Sequence, residues 1–186
     1  MAIRFHRHAS LALALAWLLV ATFATTSRAS PTSVTRLHVS RMHLTKSTHT
    51  LTLLDGDTVV ASYVASLGPG GAGAKRQEGD NVTPVGRYHV VSHSPSQYRI
   101  FLRLDYPNRD DRARFAALKA SGELPKSATI GGDIGIHGTP QERKYDAERA
   151  SFRGVDWTAG CVGVQDDEID QIAASVADGT VIDIED

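Results

Sequence analysis

Two β-rich runs, "TLTLL" and "TVVASYVASL", flank Asp55-Gly56-Asp57 within residues 50–67. An Asp-Gly step between apolar-rich runs of this kind signals a hairpin and commits this part of the chain to antiparallel sheet. More strand patterns follow. "TPVGRYHVVSHS" opens at Thr83-Pro84, turns at Gly86 and alternates through "RYHVV". "YRIFLRLDYP" alternates as well, with Ile100, Leu102 and Leu104 on one face. "ATIGGDIGIHGTP" holds a short apolar strand ending at His137-Gly138, "CVGV" begins another, and "TVIDIED" closes as a strand. Helical spacing occurs twice. "NRDDRARFAALKASGELP" has Asn108 as a cap, Phe115 and Leu118 on one face, and Gly122 and Pro125 as the stop. "DDEIDQIAASVADG" turns Ile169, Ile172, Ala173 and Val176 inward. Residues 30–49, rich in Ser, Thr, Arg and His, read as an exposed lead-in, and "QERKYDAERASFRGVD" as a polar loop with a helical turn. The expectation is a mainly β domain with short helices over residues 50–186.

The first thirty residues differ in character. Arg4, His6, Arg7 and His8 make a basic start, "ASLALALAWLLVATFA" is an uninterrupted apolar-rich run, and Ser27 and Ala29 are placed for cleavage before Ser30. The run falls short of the roughly 20 apolar residues a spanning helix needs. Residues 1–29 therefore read as a cleaved signal peptide; an uncleaved anchor, the one route to a membrane here, is the alternative. Cleavage would leave 157 residues, enough for one domain with its own core and no disulfide staples. It would also remove Arg4, Arg7 and Arg28, leaving 17 Lys+Arg against 21 Asp+Glu and a net charge near −4. No basic excess remains to hold a nucleic-acid backbone, so no nucleic acid is expected as a partner.

Export makes the single cysteine, Cys161 in "DWTAGCVGV", informative, because oxidising compartments favour paired thiols. A lone thiol is a buried filler, an intermolecular link or a reactive group. A nucleophilic thiol needs a base, and the base needs an orienting partner. His137 ends one strand and Cys161 begins another 24 residues on, so neighbouring strand ends would bring both side chains to one rim. Gly160 would let a substrate approach closely and leave the N–H groups of Gly160 and Cys161 free for an oxyanion.

Other patterns carry less. "GPGGAGAK" has Gly68 and Gly73 at phosphate-loop spacing, but Ala74 stands where the Lys belongs, so a loop bordering a site is expected rather than nucleotide binding. His89 and His93 share a strand face without a nearby third ligand, whereas catalytic zinc uses three protein ligands. Solvated histidines are expected there. A metal-dependent hydrolase using His89, His93 and His137 is the weakest alternative.

"IGIHGT" followed by "DWTAGCVGV" and an acidic helix resembles the signature of the YkuD-type L,D-transpeptidases, in the branch that carries Asp-Trp-Thr-x-Gly-Cys. The likeness extends through "SLGPGGAGAKRQEGDNVTPVGRYHV" and "LRLDYPNRDD", from Leu51 to Asp186. It implies a β-sandwich or barrel catalytic domain with Cys161 as nucleophile, His137 as base and Gly138 supplying the carbonyl that orients it. It implies backbone donors at Gly160 and Cys161, Thr158 fixing the loop, and substrate contacts at Asp156, Trp157 and Tyr106. The chain departs from many members at Ala159, where they carry His, and at Gly163, where they carry Arg. The implied function is periplasmic acyl transfer on peptidoglycan stem peptides, without cofactor or metal, through a Cys161 thioester to an amine acceptor. The alternatives are hydrolysis of peptidoglycan or of its link to a lipoprotein by the same site, and a non-catalytic wall-binding module in which Cys161 is core filler.

Overall fold

The computed structural model describes residues 34–142 and 149–186. The expected signal peptide and residues 143–148 of the expected polar loop lie outside the described residues. Among those described, eight strands form one sheet: β1 (Arg41–Thr45), β2 (Thr50–Asp55), β3 (Thr58–Val64), β4 (Gly86–Ser96), β5 (Arg99–Leu104), β6 (Gly135–His137), β7 (Val162–Gly163) and β8 (Val181–Glu185). Two α-helices accompany them, α1 (Arg109–Ala120) and α2 (Asp166–Ser175). Strand order across the sheet is β3-β2-β1-β8-β4-β5-β6-β7. β2 and β3 form the expected hairpin around Gly56. Just beyond β3, the Ser66 N–H donates to the Gly163 carbonyl at 2.7 Å and the Gly163 N–H returns a bond to Ser66 at 2.8 Å. The two ends of the sheet meet there, which curls it and covers edges that would otherwise stand open.

The expected exposed lead-in needs correction. Residues 41–45 form β1, in the interior of the sheet, antiparallel to β2 and parallel to β8. Met42 and Leu44 are fully buried between the β2 and β8 neighbours. The segment looks solvated because its other face is: Arg41 pairs with Asp57 and His43 with Glu185. Two apolar positions among five residues leave little alternation to detect.

The core gathers the alternating positions of the strands, among them Leu51, Leu53, Tyr88, Val90, Leu102, Ile136 and Ile182. α2 adds Ile169 and Ile172, both fully buried, and Val176 at its C-cap. Each such side chain contributes about 1.5–3 kcal/mol on burial. α1 starts on a complete capping box: Asn108 Oδ1 accepts from the Asp110 and Asp111 N–H groups, and Asp111 Oδ2 accepts from the Asn108 N–H.

The glycine-rich loop after β3 is tied to its neighbours. The Gly68 N–H donates to Thr83 Oγ1 at 3.1 Å and the Gly70 N–H to the Asn81 carbonyl at 3.0 Å. A Cβ at Gly68 would lie 1.9 Å from the Asn81 oxygen and 2.9 Å from the Gly160 nitrogen, so glycine lets this loop lie against the Cys161 segment. Its charged residues fold back on Asp80, which accepts from Lys75 and from the backbone of Arg76, Gln77 and Val82. Burial pushes the Asp80 carboxyl up, but these bonds together hold it below the ordinary carboxylate value. No helix among the described residues is long and apolar enough to cross a membrane.

Candidate active site

β6 and β7 are parallel neighbours, with Ile136 opposite Val162 and His137 opposite Gly163. His137 is the last residue of β6 and Cys161 immediately precedes β7, so the topology brings the two to one place. Both line a cavity of about 600 Å³, together with Tyr98, Phe101, Arg103, Asp133, Trp157 and Ala159. Cys161 is partly exposed and lies outside the apolar core cluster.

His137 is 2% exposed and its Nδ1 lies 2.8 Å from the Gly138 carbonyl. A carbonyl only accepts, so the ring hydrogen sits on Nδ1 and the lone pair on Nε2. Aromatic rings fix the plane: Tyr98 stacks at 4.5 Å, Phe101 at 5.9 Å, and Trp157 meets the ring edge-on at 5.6 Å. Burial pushes His137 below the ordinary imidazole value, with the Gly138 bond opposing. Gly138 itself has no room for a side chain, since a Cβ would lie 2.8 Å from Asp166 Oδ1 and 2.9 Å from the Tyr98 carbonyl. Asp166 also takes the Thr139 hydroxyl and N–H and the Gln141 amide, so the head of α2 anchors the turn that follows His137.

The thiol is not bonded to the imidazole. Cys161 Sγ donates to the Asp133 carbonyl at 3.4 Å. Burial pushes the thiol up to about 11, eased by the Gly135 backbone, raised by the Asp133 charge and eased again by Lys75 and Arg103. Thiol and imidazole are therefore both neutral near pH 7.

The loop before Cys161 turns on Gly160, whose φ of 122° favours glycine; a Cβ there would also lie 2.8 Å from the Val82 carbonyl. Thr158 ties this turn together. Its hydroxyl donates to the Cys161 carbonyl at 2.8 Å and accepts from the Gly160 N–H at 3.2 Å. The Gly160 N–H is thus engaged, contrary to the expectation of a free donor. Asp156 reaches backwards rather than into the cavity: its Oδ1 accepts from the Leu67 N–H at 3.1 Å and meets His49 Nε2 at 2.9 Å. Trp157 does line the cavity, and a Cβ at Gly163 would sit 3.1 Å from its ring. Tyr106 is not brought to the site; it is buried in the core, bonded to the Ile130 carbonyl at 3.2 Å.

Sequence reasoning missed Tyr98, Phe101, Arg103, Asp133 and His49. Phe101 and Arg103 were within reach, because alternation that sends Leu102 and Leu104 inward turns these two to the opposite face of β5. His89 and His93 each bind a separate carboxylate, Asp105 at 3.1 Å and Asp178 at 2.7 Å. Among the described residues no group of three or more His, Cys, Asp or Glu side chains is arranged to hold a metal.

The model of the YkuD family, described as the L,D-transpeptidase catalytic domain, matches residues 36–184. Among solved structures the chain is similar to the helical cell shape determining protein Pgp2 from Campylobacter jejuni, at 24% identity and a TM-score of 0.58, over 80% of this chain and 48% of that one. It is also similar to Bd1075 of Bdellovibrio bacteriovorus, at 20% identity and a TM-score of 0.51, over 80% of this chain and 48% of that one. The chain spans about half the length of these two structures. No curated protein matches it. The family match runs from the approach to β1 into β8, and the chain belongs to the YkuD family of L,D-transpeptidase catalytic domains.

Proposed function

We propose that this protein is an exported, periplasmic cysteine L,D-transpeptidase that acts on peptidoglycan stem peptides. The observation that carries the reading is a thiol and a neutral imidazole at one cavity, with the imidazole's Nδ1 bonded to the Gly138 carbonyl. In this reading Cys161 attacks the carbonyl of a diaminopimelate residue as its proton passes to His137 Nε2. Because the thiol is protonated at rest, proton transfer accompanies attack and follows release of the thiol from the Asp133 carbonyl. The Cys161 N–H supports the oxyanion while Thr158 fixes the loop. D-alanine leaves with the proton from His137; an amine acceptor then attacks the thioester as its proton passes to His137, the C–S bond breaks, and the expelled Cys161 sulfur takes that proton back from His137.

A second reading replaces the acceptor by water, giving an L,D-carboxypeptidase or endopeptidase, including one that detaches lipoprotein from peptidoglycan. Ala159 favours it, because it lines the cavity beside Cys161 with a methyl group that cannot bond a second peptide. The test is to incubate the mature protein with purified muropeptides and weigh the products. Cross-linked dimers select transpeptidation; loss of one alanine, or release of a lipoprotein peptide, selects hydrolysis. Unchanged muropeptides, or activity that survives Cys161→Ala, would contradict both.

A further inference from the structure

Two charged side chains at the cavity have no part in the acyl-transfer scheme. Arg103 rises from β5 with its guanidinium 5.4 Å over the Phe101 ring and pairs with the Asp133 carboxylate. Asp133 sits in the left-handed region at φ 56°, and its own carbonyl holds the thiol at 3.4 Å. The pair stays open to solvent, Arg103 at 45% and Asp133 at 84% side-chain exposure. An ion pair this exposed adds little to stability, so holding the fold together does not account for it, and it opens readily. Of the described residues lining the cavity, Arg103 alone carries a fixed positive charge.

A ligand with an ammonium and a carboxylate on one carbon would exchange this one ion pair for two. The guanidinium fork matches a carboxylate, and Asp133 matches the ammonium. We infer that Arg103 and Asp133 form a subsite for a zwitterionic amino-acid group, the free end of the diamino-acid side chain in the donor stem peptide. The inference rests on the proposed reading of the site as one that takes stem peptides. It places the selective contact beside the thiol, because one residue, Asp133, carries both the carboxylate and the carbonyl that holds Sγ. A lysine side chain offers the ammonium without the carboxylate and would engage Asp133 alone.

The test compares two tetrapeptides that differ only at the third residue, meso-diaminopimelate or lysine, on the mature protein and on Arg103→Met and Asp133→Asn. Arg103→Met should lower kcat/KM on the diaminopimelate peptide about tenfold, mainly through KM, the worth of one charge-assisted contact. The lysine peptide should change less than twofold. Asp133→Asn should weaken both, since both carry the ammonium. In parallel, free meso-diaminopimelate should bind Cys161→Ala protein and lose that binding when Arg103→Met is added. An unchanged preference for diaminopimelate in Arg103→Met, an equal loss on both peptides, or binding of free diaminopimelate that is absent or indifferent to Arg103 would overturn the subsite. If the parent turns over neither peptide yet binds free diaminopimelate through Arg103, the stem-peptide activity falls and the subsite stands.

Discussion

At Cys161 and His137 the same burial acts in opposite senses, raising the thiol to about 11 and lowering the imidazole. Alkylation of Cys161 in the folded protein should therefore be slow at pH 7 and climb toward a midpoint near 11; a midpoint below 8 would contradict a thiol raised by burial. The acid limb of kcat/KM should fall below pH 6.5, because His137 must be neutral to accept the proton and its value is lowered. The stability sign is also fixed. An unfolded thiol releases its proton near 9.0 and the folded one near 11, so the protein loses stability as pH climbs through that window. Thermal melts of Cys161→Ala should show a flatter decline between those pH values than the parent. Gly138 makes a sharper test of the base. Gly138→Ser forces atoms against Asp166, the Tyr98 carbonyl and Ile169, so it should cost about 1–3 kcal/mol in a denaturation experiment and lower kcat by displacing the carbonyl that holds His137.

At the level of elements, the Asp156–Gly160 loop and the head of α1 offer a contrast. Thr158→Val removes two hydrogen bonds inside the loop and should cost about 1–3 kcal/mol while lowering kcat, since the Cys161 peptide loses its tether. Asn108→Ala removes a helix cap and should cost about 1 kcal/mol with kcat unchanged. These elements also show what a sequence reveals. The hairpin, β4, β5, both helices and β8 were legible because their apolar positions recur at strand or helix period. β1 was not, because two buried side chains among solvated ones carry almost no pattern. At the site, His137, Gly138 and Cys161 were legible as a motif. The thiol's bond to Asp133 was hidden, since a backbone carbonyl turned by a left-handed residue leaves no mark in residue type. The engaged Gly160 N–H escaped for a related reason: its acceptor is a local hydroxyl, not a distant partner.

Across the whole molecule, the curl of the sheet is what joins the β3 end to the Cys161 strand, through Ser66 and Gly163. β1 lies between β2 and β8 and links the hairpin to the rest of that sheet. A protein beginning at Val34 should fold cooperatively, whereas one beginning at Thr50 loses β1 and should show no cooperative melt by circular dichroism. Full stability in the shorter chain would refute the interior position of β1.

The central claim, that Cys161 is the acylated nucleophile and His137 its base, is tested most directly by intact-mass analysis with a diaminopimelate-containing tetrapeptide. The parent should release D-alanine and carry the remaining tripeptide as a thioester on Cys161; Cys161→Ala should do neither, and His137→Ala should acylate far more slowly. Release of D-alanine by Cys161→Ala at the parent rate would contradict it.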